Sequence, residues 1–286
     1  MKINLAKSAG FCFGVKRALK IAKEIAKSPE QIYMSGDIVH NEKIVKELSR
    51  LGIKRIKHLP KKTRGIFLVR AHGEGKKTIE RALALGYKVV DATCPMVKEI
   101  HRIAKTEEDK KRQVIVIGDR NHDEVLGIIG QLRQEAIVID PKEKFLKKIK
   151  RIKDTPCSVV VQSTQNAEIV ERIKSLLHAY IKDLRFFNTI CNPTKTKQEE
   201  IKTLPKENDL VIVVGSKKSA NTKRLYEIAS SINKRTYWIE NENQIKPYWL
   251  KEIDSVGITA GASTPEETIR NVVSCLKSFA KNNLES

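Results

Sequence analysis

The sequence predicts an α/β protein of three similar units in a pseudo-threefold arrangement around a central cavity. Three observations carry that expectation. Apolar runs of strand length, such as Leu210 to Val214, alternate throughout with helical patterns. A strand, a glycine turn, a polar tip and a helix recur three times, and a second strand–polar–helix segment recurs three times as well. The chain has 286 residues, 40% of them hydrophobic, which is enough to build several cores of that size.

The elements follow one order. In the first round, Gln31-Ile-Tyr-Met-Ser-Gly36 reads as strand and turn, followed by His40-Asn41 and a helix through Leu48. Ile66-Phe-Leu-Val-Arg70 leads into Ala71-His72-Gly73 and a helix from Lys76; Val89-Val-Asp-Ala-Thr-Cys94-Pro95 adds a short strand that ends on cysteine. The second round repeats this. Gln113-Val-Ile-Val-Ile-Gly118 precedes Asn121-His122 and a helix through Leu132; Val159 to Val161 leads into Gln162-Ser163-Thr164 and a helix from Ala167. Phe186-Phe-Asn-Thr-Ile-Cys191-Asn-Pro193 closes it. In the third, Leu210-Val-Ile-Val-Val-Gly215 precedes Ser219 to Thr222 and a helix through Ile228. Val256-Gly-Ile-Thr259 then leads into Ala260 to Ser263 and a helix from Pro265. This round has no cysteine strand of its own, and its counterpart stands at the start of the chain, Ile3-Asn-Leu-Ala-Lys-Ser-Ala-Gly-Phe-Cys12. Units are therefore expected at 13–95, 96–191, and 192–286 together with 1–12. In open α/β sheets ligands bind beyond the carboxyl ends of the strands, so these corners are where a site is expected.

The charge makes nucleic acid the first partner to weigh. Lys+Arg number 55 against 34 Asp+Glu, a net charge of +21 and a pI near 9.7. The basic residues, however, are spread over Lys-rich helix faces (Lys16 to Lys27, Lys142 to Lys153) and interleave with Glu. Aromatics are only 5%, with no stacking pattern, so no nucleic-acid partner is expected. A basic surface suits a small anionic substrate or an acidic electron-transfer protein. No apolar run approaches the roughly 18 residues of a membrane span. Lys2, Lys7, Lys16 and Arg17 leave no signal-peptide core, so the cytoplasm is the expected location.

Five cysteines at wide spacing, with no CxxC pair, argue against a disulfide framework. Cys157 and Cys275 lie in apolar patterns and read as buried small hydrophobes. Cys12, Cys94 and Cys191 differ: each ends a strand and begins a helix, with Pro95 and Pro193 near the first helical positions. The helix dipole favours a thiolate there. Three such thiolates suit three corners of an iron–sulfur cube whose fourth iron stays open to substrate. A three-Cys zinc site is weakened by the missing close pair.

A second constellation, His40, His72, His122, Ser163, Thr164, Ser219, Asn221 and Ser263, occupies the same kind of corner. Helix N-termini there offer N–H groups to an anion, although Ser, Thr and Asn also serve as N-caps. His58, His101 and His178 read as loop or exposed helix positions. Glu124, two residues after His122, is a proton donor if it points inward and a dipole partner if it does not. Gly36, Gly73, Gly118 and Gly215 read as backbone requirements of tight corners.

Together these motifs resemble one family, the 4-hydroxy-3-methylbut-2-enyl diphosphate reductases, from Lys2 to about Ser278. The resemblance rests on an ordered set. It runs Gly10-Phe-Cys12-Phe-Gly14-Val15, Asp37-Ile-Val-His40-Asn41, Arg70-Ala-His72-Gly73 and Asp91-Ala-Thr-Cys94-Pro95. Asn121-His122-Asp-Glu124, Gln162-Ser-Thr164 and Cys191-Asn-Pro-Thr194 follow, then Ser219-Ala-Asn-Thr222 and Gly257-Ile-Thr-Ala-Gly-Ala-Ser263. It implies three α/β units around a central 4Fe–4S cluster held by Cys12, Cys94 and Cys191, with the substrate hydroxyl at the unligated iron. It implies two electrons from ferredoxin or flavodoxin, and isopentenyl and dimethylallyl diphosphate as products; separately, a monomer is expected. His40, His72, His122, Thr164, Ser219, Asn221 and Ser263 would hold the diphosphate, while Glu124 with Ser163 handles protons. Two positions depart from the pattern: Ser163 stands where threonine is expected, and Ala220 where serine is common. A basic RNA-binding α/β protein, or a cluster-free phosphate-ester binder using the same corners, remain the rival readings.

Overall fold

A computed structural model describes residues 1–61 and 64–282; positions 283–286 of the third expected unit lie outside the described residues. The chain opens with β1 (Lys2–Leu5) and α1 (Phe13–Ile25), then β2 (Ile32–Ser35), α2 (Glu42–Arg50) and β3 (Ile53–Ile56). β4 (Ile66–Val69), α3 (Lys76–Ala84), β5 (Lys88–Asp91), α4 (Pro95–Asp109) and β6 (Gln113–Ile117) follow. Next come α5 (Asp123–Ile129), β7 (Ile137–Ile139), α6 (Leu146–Lys150), β8 (Cys157–Val161), α7 (Ala167–Tyr180) and β9 (Leu184–Phe186). α8 (Asn192–Thr203), β10 (Leu210–Val214), α9 (Ala220–Ile232), β11 (Thr236–Ile239), β12 (Ser255–Ala260) and α10 (Glu266–Asn282) complete it.

The strands form three four-stranded parallel sheets with one common order: β3-β2-β4-β5, β7-β6-β8-β9 and β11-β10-β12-β1. The first strand of the chain pairs with β12, Lys2 opposite Ser255. Parallel pairing needs crossovers, and helices on both faces make the inner strands apolar throughout. Every residue of β4, β8 and β10 is buried accordingly.

The structure adds one strand per sheet that the sequence reading passed over: β3, β7 and β11. These are short edges; in β3, Ile53 and Ile56 flank the exposed pair Lys54 and Arg55, so no continuous apolar run marks it. Two helical expectations are corrected. Of the Lys142 to Lys153 stretch only Leu146–Lys150 is helical, and the helix after His122 stops at Ile129.

Contacts divide the chain into two compact units. The first comprises Met1–Phe13, His40–Glu42 and the chain from Asn192 onward. Its sheet sends Ile212, Val214 and Ile258 toward Ile269, Val272 and Leu276 of α10, and Val211 and Val213 toward Leu225 and Ala229 of α9. The second comprises Gly14–Val39 and Lys43–Cys191. There Ile115 and Ile117 pack toward α7, while Val114 and Val116 pack toward α4 and α5. Neighbouring residues thus serve opposite faces, as the pleat requires. No described helix is long and apolar enough to cross a membrane.

Candidate active site

Three cysteines share one construction. The Cys94 N–H donates to Ala71 O at 3.0 Å, that of Cys191 to Ser163 O at 3.1 Å, and that of Cys12 to Ala262 O at 3.2 Å. Each acceptor lies two residues past the end of the strand that pairs with the cysteine's own: β4, β8 and β12. The three thiols are half-buried and in no disulfide, and Cys94 stands at the N-cap position of α4 with Pro95 following. Cys157 is fully buried in β8, and burial pushes its thiol up to about 11. Cys275 sits half-buried on α10, its thiol also pushed up by burial. The repeated corner therefore separates three cysteines from two.

In the second unit, Glu124 lies in the first turn of α5 and is 2% exposed. Ser163, just past β8, donates to its two carboxylate oxygens: N–H at 2.6 Å and Oγ at 2.8 Å. Burial pushes the Glu124 carboxyl up to about 7, and the Ser163 bonds only partly oppose it. Since Ser163 O also receives the Cys191 N–H, one residue joins the acid to a cysteine corner. His122 caps α5, its Nδ1 accepting from Glu124 N–H at 3.1 Å. The ring proton is thereby assigned to Nε2, which is a donor. The His72 ring meets it edge-on at 5.5 Å. Thr164 Oγ1 accepts from Gln162 Nε2 at 3.2 Å.

In the first unit, Ser219 caps α9 by accepting from Thr222 N–H at 3.3 Å, so for its hydroxyl the capping reading holds. Asn221, two residues after this cap, is 4% exposed, and among the described residues both ends of its buried amide have no hydrogen-bond partner. Such an orphan is what a ligand-binding amide looks like without its ligand. Ser263 donates to His40 O at 3.3 Å.

Sequence reasoning missed three residues. His101 is not on an exposed helix position: burial pushes its imidazole down to about 4. Its ring lies where a Cβ on Gly73 would come within 2.6 Å. The signal was present, because positions 97, 101, 104 and 108 fall on one face of α4, and Val97, Ala104 and Glu108 are buried. Arg70 is buried and pairs with Asp123 at 2.6 Å, tying the strand end before His72 to the helix start between His122 and Glu124. Lys197 of α8 is also buried, and burial pushes its ammonium down to about 8.

Comparison with known proteins gives a consistent result. A family model described as LytB protein matches residues 3–277. A 4-hydroxy-3-methylbut-2-enyl diphosphate reductase of Aquifex aeolicus is 36% identical over 288 residues, covering 99% of each chain. That of Geotalea daltonii is 38% identical over 282 residues, again covering 99% of each. A solved structure of (E)-4-hydroxy-3-methyl-but-2-enyl diphosphate reductase, the terminal enzyme of the non-mevalonate pathway, is similar with TM-score 0.69 at 36% identity. It covers 97% of this chain and 100% of that one. The E-1-hydroxy-2-methyl-but-2-enyl-4-diphosphate reductase of Plasmodium falciparum gives TM-score 0.87 at 26% identity, over 96% of this chain and 87% of that one.

Proposed function

We infer that this chain, which belongs to the LytB protein family, reduces 4-hydroxy-3-methylbut-2-enyl diphosphate. The allylic hydroxyl leaves as water, two electrons and two protons are taken up, and isopentenyl and dimethylallyl diphosphate are released. The observation that carries the chemistry is Glu124, a buried carboxyl held by Ser163, with no cation among its hydrogen-bond partners in the described residues. Near neutral pH it keeps a proton that an exposed glutamate would have lost. That proton goes to the departing hydroxyl, and the Ser163 Oγ orients the carboxyl for the transfer.

Cys12, Cys94 and Cys191 fit an iron–sulfur cluster: half-buried thiols in no disulfide, each positioned by one equivalent backbone bond. A 4Fe–4S cluster, held by these three cysteines, would supply Lewis acidity and a route for electrons. The protein's own share is binding. His122 Nε2–H, the orphaned Asn221 amide, His40, His72, Thr164, Ser219 and Ser263 hold the diphosphate. The substrate is thus fixed by its unreactive end. Electrons come from an acidic ferredoxin or flavodoxin, which the charge of +21 attracts to a cytoplasmic monomer.

The test is anaerobic purification with iron analysis and turnover of the diphosphate substrate. The wild-type protein should be brown and active. Cys12→Ser, Cys94→Ser and Cys191→Ser should each lose iron and turnover, while Cys157→Ala and Cys275→Ala keep both. A folded, colourless, iron-free wild type would favour the cluster-free phosphate-ester binder.

A further inference from the structure

Lys197 is a buried lysine with no part in the reaction above. It lies on α8, is 2% exposed, and donates to the carbonyl oxygens of Ser8 and, at 3.2 Å, Ala260. One turn along, Glu200 accepts from the Ser8 N–H at 3.0 Å and from the Ser8 hydroxyl. This i,i+3 pair therefore grips the backbone of Ser8 from both sides, at its N–H and at its C=O. Ser8 stands four residues before Cys12, and Ala260 stands two before Ala262, whose carbonyl receives the Cys12 N–H. Lys197 bridges the two backbone segments whose meeting positions Cys12.

A buried ammonium is costly, and an apolar side chain of this length would fill the site with a smaller desolvation penalty. What the charge adds is the gathering of two carbonyls and an electrostatic coupling to Cys12 and Glu200. A related bond occurs at a second corner, where Arg17 of α1 donates to Thr93 O at 3.1 Å, one residue before Cys94. There, too, a cation from a helix that follows one cysteine holds the backbone leading into another.

We propose that Lys197 and Glu200 form a clamp that pre-sets the Cys12 corner, with Lys197 a positioning residue that acts through Cys12. It holds the 8–12 segment on α8, and its charge acts on Cys12 as well as on Glu200. The proposal rests on the reading that Cys12, Cys94 and Cys191 hold an iron–sulfur cluster.

The full-length protein allows two separate readouts. In the metal-free form, amide hydrogen exchange over residues 9–12 should quicken by about tenfold in Lys197→Met and in Glu200→Gln. Lys197→Arg should stay near wild type, and the β8 amides should not change in any variant. After anaerobic loading with iron and sulfide, Lys197→Met should take up less iron per chain. Its loaded fraction should show a more negative midpoint potential, because the reduced form has lost a neighbouring cation; Lys197→Arg should not shift it. Unchanged exchange, iron content and potential in Lys197→Met would overturn the clamp. So would faster exchange throughout the fold in Lys197→Met with no local effect in Glu200→Gln, since Lys197 would then serve general stability alone. A wild type that takes up no iron would overturn the cluster reading instead, and the exchange arm would still decide the clamp.

Discussion

Glu124 takes its chemistry from its surroundings and not from its place at a helix start. An exposed first-turn acid is ionised and worth about 0.3–1 kcal/mol to the dipole. Buried against Ser163, the same carboxyl titrates near 7, so turnover should fall as pH rises through that value. Glu124→Gln should bind substrate almost normally and lose on the order of 10²-fold in kcat, read from anaerobic steady-state kinetics and substrate titration. Near-wild-type kcat would leave it only a structural part. Its stability effect has a definite sign. The folded pKa is raised from 4.5, so the contribution is fully present below about pH 4.5 and lost as pH rises through about 7. The swing is roughly 3 kcal/mol and should vanish from the pH dependence of unfolding in Glu124→Gln. His122 and Asn221 should separate cleanly as well. His122→Ala removes a helix cap and, on the proposed function, a diphosphate donor, so it should weaken binding and cost about 1 kcal/mol in denaturant unfolding. Asn221→Ala removes an amide without a hydrogen-bond partner among the described residues, and should weaken binding at little cost in stability.

At the scale of elements, α5 is held against the β4 corner by close backbone approach. Lys76 N–H donates to Gly130 O at 2.9 Å, and a Cβ on Gly130 would lie 2.8 Å from Gly75 Cα. A Cβ on Gly127 would lie 3.2 Å from His72 O, with the His101 ring beside it. The Arg70–Asp123 pair closes the same seam. Gly130 has helical φ of −68°, a conformation in which Gly→Ala ordinarily stabilises by about 0.4–1 kcal/mol. Here the backbone contact reverses the sign. Gly130→Ala should destabilise by about 1–3 kcal/mol and lower kcat by moving α5 with its Glu124, measured by urea unfolding and kinetics. A stabilised variant would show that the two glycines do not set the spacing.

Across the whole molecule the dominant physical fact is the charge of +21. Exposed charges are screened within about 8 Å at 0.15 M salt. Turnover driven by an acidic protein donor should therefore fall steeply with added salt, while turnover with a small chemical reductant falls less. Equal salt sensitivity would remove the steering argument, and tight, salt-sensitive RNA binding would support the RNA-binding rival. Exposed ion pairs such as Lys20–Glu24 at 3.9 Å contribute little to this or to stability.

The sequence by itself determined what is local or periodic. Strand-length runs, glycine turns and polar tips in a fixed order specified a parallel α/β fold, and the place of the cysteine in each round singled out Cys12, Cys94 and Cys191. Apolar inner strands such as Leu210 to Val214 were legible because both their faces are covered; the edges β3, β7 and β11 were not, because they are short and only partly buried. What only the tertiary structure decided is burial between distant segments. Ser163 lies 39 residues from Glu124 and orients its carboxyl, while the burial that comes with folding keeps it protonated. His101 is turned inward by the glycine corner at Gly73, and Lys197 finds its acceptor 189 residues away at Ser8. Desolvation and hydrogen bonding set the state of each of these groups, and both arise only when the chain has folded.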